Sequence, residues 1–216
     1  MLNSPPRQHI SGQFNLELDA IKSDLLEMGG KVENQIELAS EAMTRQDSGL
    51  AEQVLAIDPI INDFEKAIDE QCMRILARRQ PAAGDLRLII AITRVTTDLE
   101  RIGDEASRVA RLAIKRSEAE AIVCVAADQK LARTAKRVAT MLHRALDAFA
   151  RLSVDDAVKV VLSDADVDVD YLAGIADLQA AMRRDTDHIP EYLDLVWSLR
   201  SFERVGDHAS NIAEQI

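Results

Sequence analysis

Residues that interrupt helices and residues that favour strands are both scarce in this sequence. Its 216 residues include 8 glycines and 5 prolines, and aromatic residues make up only 3%. Ala, Leu, Glu, Arg and Lys, which have high helix propensity, are abundant instead, whereas strands favour aromatic and β-branched residues. The composition therefore predicts an all-α protein.

Cysteines and long apolar runs are scarce as well. Cys72 and Cys124 lie far apart, without Cys-x-x-Cys or nearby Cys/His spacing, so we expect neither a disulfide scaffold nor a structural zinc site. Residues 1–14 contain no apolar stretch typical of a secretory signal, and no run approaches the ~18 apolar residues of a membrane span. We therefore expect a cytoplasmic protein with buried free thiols and no direct membrane insertion.

Positive charge is in deficit, because 26 Lys and Arg residues stand against 37 Asp and Glu residues, for a formal net charge of −11 at pH 7. An acidic surface repels the phosphates of nucleic acids, so we expect no nucleic-acid partner. The same surface can attract cations or a basic partner.

Apolar residues recur at steps of three and four through six successive stretches, the spacing that places them on one face of a helix. In the first stretch they are Leu18, Ile21, Leu25, Met28, Val32, Ile36, Ala39 and Met43. The pattern is interrupted near residues 47–49, 79–84, 117–120, 152–153 and 188–190. Pro59 lies inside the second stretch and indicates a kink or a false helix start there.

The six stretches predict helices of roughly 25 to 35 residues. Long helices that are joined by short connections run antiparallel to their neighbours. The fold class we predict is therefore two tandem antiparallel three-helix bundles related by internal duplication. In this prediction residues 1–12 form a flexible N-terminal arm, residues 13–117 the first bundle and residues 118–216 the second.

The internal duplication is inferred from a repeated motif. Residues 98–107 (DLERIGDEAS) recur as residues 201–210 (SFERVGDHAS), at an offset of 103 residues, and the apolar positions match as well. A weaker match, at an offset of 106, relates residues 58–62 to residues 164–168 on the preceding helices. The repeat therefore spans whole bundles.

Each copy of the motif contains an acidic pair four residues apart, Glu100 with Asp104 and Glu203 with Asp207. Such a pair lies on one helix face and is unfavourable by roughly 0.2–0.5 kcal/mol, and the glycine within it costs about 1 kcal/mol relative to alanine. Because both unfavourable features recur at matching places in the two copies, we expect a function that requires them. Carboxylates at this spacing can bind hard or borderline metal ions.

The preceding helices offer side chains that would complete two metal sites if antiparallel packing brings the helices together. The predicted ligands of the first site are Glu100, Asp104, Asp58 and Asn62, and those of the second are Glu203, Asp207, Asp164 and Asp168. Glycine lets a facing helix or a ligand approach closely. The supporting residues of the motif are Asp98, Arg101, Gly103, Arg204 and Gly206.

Ordinary salt bridges are the competing interpretation, because Arg101 and Arg204 lie beside the acidic pairs and could neutralise them. A single acidic pair would favour that interpretation, whereas the duplicated form with glycine favours a cation. Of the neighbouring residues, we expect His208 to be exposed and Trp197 to have a packing role.

Motifs for catalysis are absent from the sequence. No Glu is followed three residues later by His, as in di-iron bundle enzymes, and there is neither a Gly-rich phosphate loop nor a Gly-x-Ser-x-Gly motif. We therefore predict that the protein is not an enzyme. The alternatives are a metal-dependent or di-iron helical enzyme and a metal-free helical scaffold.

Taken together, these motifs resemble the PhoU family of bacterial phosphate-uptake regulators. The resemblance is carried by residues 76–81 (LARRQP), 85–87 (DLR), 97–104 (TDLERIGD) and 203–214 (ERVGDHASNIAE). It extends from Phe14 to Ile216. Asn62 departs from the family pattern, which prefers a carboxylate there, so we expect the first site to bind metal less tightly.

The resemblance implies a fold of two three-helix bundles and metal ions (Fe, Zn, Mn, Mg or Ni) on the Glu/Asp-x-x-x-Asp faces. It implies a non-enzymatic negative regulator of phosphate uptake and of the phosphate-starvation response. The implied partners are the sensor histidine kinase of the phosphate regulon, the ATPase subunit of the phosphate ABC transporter and a second copy of the chain in a homodimer. A paralogue that serves another transporter is the alternative within the family.

Overall fold

The computed structural model describes residues 8–118 and 125–216, with side chains described from residue 12 onward. These residues form six helices: α1 (Gln8–Arg45), α2 (Ser48–Arg79), α3 (Ala83–Glu118), α4 (Val125–Arg151), α5 (Val154–Arg184) and α6 (Ile189–Ala213). No strand occurs in these two ranges. The predicted all-α fold class is therefore confirmed.

The observed helix ends differ from the predicted boundaries in two places. α1 begins at Gln8 and so includes the second part of the predicted arm of residues 1–12, because each residue added to an existing helix gains a hydrogen bond without a new nucleation step. Residues 1–7 lie outside the described part of the chain. α2 continues through Pro59, so this proline does not mark a false start. The domain division at residues 117 and 118 stays a prediction.

Local sequence explains where several helices begin. The side chain of Asp47 accepts a hydrogen bond from the backbone N–H of Leu50 at 3.1 Å and so caps α2. Pro190 lies in the first turn of α6, where its missing N–H leaves no helical hydrogen bond unmade. Ser153 occupies the N-cap position of α5, where the apolar pattern is interrupted, although its hydroxyl donates to Asp156 instead of accepting from the backbone.

The six helices pack as two groups of three that share a centre. α1, α2 and α3 contact one another, as do α4, α5 and α6. In addition α3 packs against α6 and α1 against α4, so that α1, α3, α6 and α4 form a central group of four helices. Within the described residues, α2 contacts only α1 and α3, and α5 contacts only α4 and α6. We call α2 and α5 the outer helices.

One apolar core runs through both groups of helices. All the apolar positions predicted for the first helix are buried, and Leu99 and its repeat partner Phe202 are both fully buried. Burial of apolar surface stabilises by roughly 25 cal/mol per Å² and is the dominant favourable term in folding. The helical periodicity of the sequence therefore identified the core faces correctly.

The repeat is visible in the outer helices as well. At the predicted offset of 106 residues, buried positions of α2 coincide with buried positions of α5. The coinciding pairs are Ala51 with Ala157, Val54 with Val160, Ile61 with Val167, Ile68 with Gly174, Cys72 with Leu178 and Ile75 with Ala181. The two outer helices therefore turn equivalent sides towards the centre, and their outward positions can be compared pair by pair.

Charged side chains cross the contact between α3 and α6. His208 Nδ1 lies 2.9 Å from Asp98 Oδ1, and both residues are buried. The prediction that His208 is exposed is wrong, because α3 covers the side of α6 on which it lies. Arg204 forms an ion pair with Glu105 on α3, so it joins the two halves instead of pairing with the acidic residues beside it.

Two other side chains also bear on the predictions. Trp197 is 58% exposed, so the predicted packing role is wrong. Cys72 is buried, as predicted, and burial raises the pKa of its thiol to about 11. Cys124 lies outside the described residues.

In the part of the chain that the structure describes, none of the helices carries an apolar stretch that would reach across a membrane.

Candidate functional site

Two acidic faces lie where an outer helix meets the central group. The first acidic face is formed by Asp58 and Asn62 on α2 with Glu100 and Asp104 on α3. The second acidic face is formed by Asp164 and Asp168 on α5 with Glu203 and Asp207 on α6. In each half, the predicted residues therefore lie on two helices that pack against each other.

Glu203 is the one buried residue among the eight predicted ligands, with 8% of its surface exposed. Its Oε1 accepts a hydrogen bond from the guanidinium of Arg200, whereas its buried Oε2 has no hydrogen-bond partner. A buried carboxylate oxygen without a partner is unfavourable unless a proton or a cation reaches it. Within the second acidic face, a cation would therefore stabilise Glu203 most directly, because its buried Oε2 has no other partner.

Gly206 allows α5 and α6 to approach closely beside this carboxylate. A Cβ atom at Gly206 would lie 3.2 Å from Asp164 Oδ1 and 3.3 Å from Val167 Cγ1, closer than most such contacts. Alanine at this position would push against the side chain of Asp164. The glycine within the motif thus has a packing reason, which also determines where Asp164 lies.

The charges of the second acidic face act on one another. Burial raises the pKa of Asp164, and the neighbouring charges of Asp207 and Asp168 raise it further. Burial also raises the pKa of Glu203, with an additional increase from Asp207 that Arg200 opposes. The charges of Asp168 and Asp207 therefore disfavour the ionised forms of Asp164 and Glu203.

The first acidic face shows the same effect at Glu100. Burial raises the pKa of Glu100, and the charges of Asp104, Glu65 and Asp58 raise it further, while Arg101 acts in the opposite direction. The charge of Arg101 therefore partly offsets the effect of the acidic neighbours on Glu100. Asn62 is half-buried on α2, one turn after Asp58.

A buried glutamine supports the first acidic face from α1. Gln35 donates hydrogen bonds to the Val54 carbonyl oxygen at 3.1 Å and to Ser107 Oγ at 3.2 Å. Ser107 in turn donates to Asp58 Oδ1 at 2.7 Å. The Gln35 side chain also lies against Gly103, where a Cβ atom would be 3.1 Å from its Oε1. The orientation of Asp58 is thus fixed by contacts that reach through the first bundle.

Glu65 lies beside the first acidic face, although it was not among the predicted metal ligands. Burial raises the pKa of Glu65, and the charges of Asp69 and then Asp104 raise it further. Its spacing of seven residues from Asp58 places both on one side of α2 and was the available signal. At the offset of 106 the second half has Tyr171 instead, whose ring lies 5.9 Å from the Arg200 guanidinium. The two acidic faces are therefore related but not equivalent.

Replacement of Glu203 by glutamine should stabilise the metal-free folded protein at pH 7. The raised pKa means that ionised Glu203 is less favourable in the folded protein than in the unfolded chain. Its contribution to stability is therefore complete below the ordinary value of 4.5 and is lost as the pH rises through the raised folded-state pKa. We expect urea unfolding in EDTA to show the gain of Glu203→Gln at pH 7 and its disappearance at about pH 4.

Glu52→Gln is the matched control for this measurement, because Glu52 is exposed on α2. It should leave the free energy of unfolding unchanged at both pH values. A Glu203→Gln protein that is less stable than the wild type at pH 7 would contradict the assignment of Glu203 as an unfavourably buried carboxylate.

The fit of these residues to a metal ion is partial. Their oxygen atoms are the donors that hard cations prefer, and Glu203 Oε2 lacks any other partner. However, among residues 12–118 and 125–216 no three His, Cys, Asp or Glu side chains are gathered closely enough to hold one ion. Binding would therefore require side chains of the acidic faces to turn towards each other. The bound cation would favour this movement, because its charge offsets the repulsion between the carboxylates.

The chain is similar to known proteins over nearly its whole length. The family model described as the PhoU domain matches residues 25–113 and 131–216. A relative from Pseudomonas aeruginosa, named phosphate-specific transport system accessory protein PhoU homolog, is 50% identical over 213 residues, which are 96% of this chain and 85% of the relative. The Escherichia coli protein named phosphate-specific transport system accessory protein PhoU is 42% identical over 209 residues, 97% of this chain and 86% of its own length.

Solved structures agree with the architecture. The crystal structure of PhoU from Pseudomonas aeruginosa superimposes with a TM-score of 0.88 at 49% identity and covers 94% of this chain and 96% of that chain. The crystal structure of the phosphate transport system regulatory protein PhoU from Streptococcus pneumoniae superimposes with a TM-score of 0.84 at 28% identity, covering 94% of each chain. The predicted fold of two three-helix bundles is thereby confirmed.

Proposed function

The chain belongs to the PhoU family, and on that basis we propose that it is an accessory protein of a phosphate-specific transport system. In this role it restrains phosphate uptake and represses the phosphate-starvation response when phosphate is plentiful. The observation that carries the proposal is the similarity over nearly the whole chain to relatives named for that transport system, together with a family match that spans both acidic motifs.

The protein acts by binding and not by catalysis in this proposal. It contacts the ATPase subunit of the phosphate ABC transporter and the sensor histidine kinase of the phosphate regulon from the cytoplasm, as a homodimer. The formal net charge of −11 supports recognition of basic partner surfaces.

Metal binding at the acidic faces is the second part of the proposal. Glu203, Asp207, Asp164 and Asp168 would hold an ion in the second face, and Glu100, Asp104, Asp58 and Asn62 would hold one in the first. A bound cation would neutralise carboxylates whose pKa values are raised by burial and by one another. The partnerless Oε2 of Glu203 supports the second face most directly. Iron, zinc, manganese, magnesium and nickel all accept such oxygen ligands.

Deletion of the gene tests the regulatory role. In phosphate-rich medium a reporter of phosphate-starvation genes should rise to the level that wild-type cells show in phosphate-poor medium, because the restraint is gone. Expression of the full chain from a plasmid should restore repression. A reporter that stays repressed in the deletion strain would overturn the role and favour a paralogue of another transporter.

A further inference from the structure

An exposed apolar stripe runs along the outward side of α5. It consists of Val158, Leu162, Ala165, Val169, Leu172 and Ala176, all exposed, and we call it the α5 seam. Leu162 is 72% exposed, and Val169 and Leu172 are each 65% exposed. Single exposed apolar residues are ordinary on protein surfaces, whereas a contiguous stripe marks a surface that another molecule covers.

The spacing of the α5 seam indicates what kind of molecule covers it. Successive members are separated by four, three, four, three and four residues. This is the heptad spacing of a helix that packs lengthwise against another helix. The seam extends for about 27 Å at the ordinary rise of an α-helix. Its alanines at positions 165 and 176 leave room for a close helix–helix approach.

The first half shows that the fold does not require this stripe. At the offset of 106 residues, the equivalent outward positions of α2 are Glu52, Ala56, Pro59, Asp63, Lys66 and Glu70, all exposed. Four of these six positions are charged. Each buried position of α2 has a buried counterpart on α5, so the inward sides of the two helices stay alike while these outward positions differ. The α5 seam is therefore a property that the second half has and the first half lacks.

Charge on the two borders of the α5 seam is unequal. On the border next to α4, Arg137 pairs with Asp166 and Asp170, both at 2.9 Å, and Arg133 lies 3.4 Å from Asp170, so two arginines balance the two carboxylates. On the border next to α6, Asp168 is exposed and lies one helical turn after Asp164. In the metal-free protein the second acidic face therefore supplies negative charge along this one border.

We propose that the α5 seam is the docking site for an amphipathic helix of a partner protein, whose own heptad seam is apolar and is bordered by Lys or Arg. The apolar residues provide the buried contact, and the acidic border next to α6 selects a cationic helix. A second copy of this chain is disfavoured here, because it would bring the same acidic border to the contact. A homodimer would use another surface.

A synthetic three-heptad peptide tests the proposal without any phosphate or metal, so its failure would leave the proposed regulatory function untouched. The peptide has Leu at every seam position and Lys at the bordering positions, and a second peptide has Glu at those positions. Fluorescence anisotropy of labelled peptide with the full-length protein measures the dissociation constant. We expect the Lys peptide to bind at least about tenfold more tightly than the Glu peptide.

Two double variants locate the binding surface. Leu162→Gln with Leu172→Gln should weaken the Lys peptide by at least about tenfold, because two large apolar contacts are lost. Leu16→Gln with Met73→Gln makes the same change at exposed apolar residues outside α5 and should leave binding unchanged. Asp168→Asn should reduce the preference for Lys over Glu. If circular dichroism shows that the α5 double variant is unfolded, Val169→Gln replaces it.

Three results would overturn the proposal. Equal weakening in the α5 variant and the Leu16/Met73 control would mean that the peptide binds elsewhere. Equal affinity for the Lys and Glu peptides would remove the argument from charge. A wild-type protein that sediments as a dimer, and as a monomer after Leu162→Gln with Leu172→Gln, would show that a second copy covers the seam.

Discussion

Replacement of His208 by alanine should destabilise the folded protein by about 3 kcal/mol, the upper end of the cost of leaving a buried hydrogen-bonding group without its partner. His208 Nδ1 is 2.9 Å from Asp98 Oδ1, and the two side chains keep only 11% and 10% of their surfaces exposed. Without the imidazole, the Asp98 carboxylate stays buried between α3 and α6 with its partner gone. Urea unfolding at pH 7 measures the loss of stability.

A second His–carboxylate pair between the two halves provides the matched control. His143 on α4 lies 3.2 Å from Glu33 on α1, but its side chain is 71% exposed. His143→Ala should therefore cost less than about 1 kcal/mol, since exposed ion pairs contribute little. A double-mutant cycle of Asp98→Ala and His208→Ala should show that the double variant loses less than the sum of the single losses. Similar losses in His143→Ala and His208→Ala would refute the importance of burial at the α3–α6 contact.

Addition of Mn²⁺ or Zn²⁺ to metal-free protein should raise the midpoint of thermal unfolding by about 5–10 °C. An ion that binds only the folded state at 100 times its dissociation constant stabilises by about 2.7 kcal/mol, and a chain of this size gains roughly 2–4 °C per kcal/mol. The physical reason is the relief of repulsion among the raised-pKa carboxylates of the acidic faces. Scanning calorimetry with and without metal, together with metal analysis of protein purified without chelator, measures the effect.

Variants of the two acidic faces should divide this metal effect unequally. Glu203→Ala with Asp207→Ala should remove most of it, whereas Glu100→Ala with Asp104→Ala should remove less, because the neutral amide of Asn62 makes the first face the weaker site. Glu37→Ala with Glu41→Ala changes an exposed acidic pair of the same spacing on α1 and should preserve the full shift. If no metal shifts the midpoint of the wild-type protein, the metal part of the proposed function is wrong, and the regulatory part stands or falls on the gene deletion.

The sequence predicted those features of the fold that are recorded locally. Three-and-four spacing in a single helix determines which side is apolar, so the core positions of α1 and the burial of Leu99 and Phe202 followed from the pattern. Ser153 and Pro190 likewise marked the beginnings of α5 and α6. The repeat then placed both acidic faces at the contact of an outer and a central helix, because duplicated sequence implies duplicated packing.

Features that depend on contacts between the two halves were not predictable in this way. His208 lies on the side of α6 that α3 covers, and no periodicity within α6 reveals which other bundle packs there. Trp197 could not be assigned for the same reason, and it is exposed. Gln35 is far in sequence from Ser107, so the hydrogen bond that supports Asp58 through Ser107 could be found only in three dimensions. The α5 seam could not be recognised from the sequence pattern, because α5 is apolar on its inner side as well and the two stripes overlap in the sequence.

The peripheral position of the outer helices has an evolutionary consequence. Within the described residues each of them touches only its own half, so a substitution on its outward side needs no compensating change across the molecule. After the duplication, the four central helices were held to mutual fit while the surfaces of α2 and α5 were free to drift apart. Proteins with this architecture can therefore acquire or exchange a binding partner through substitutions on the outward side of one outer helix, while the core residues stay the same.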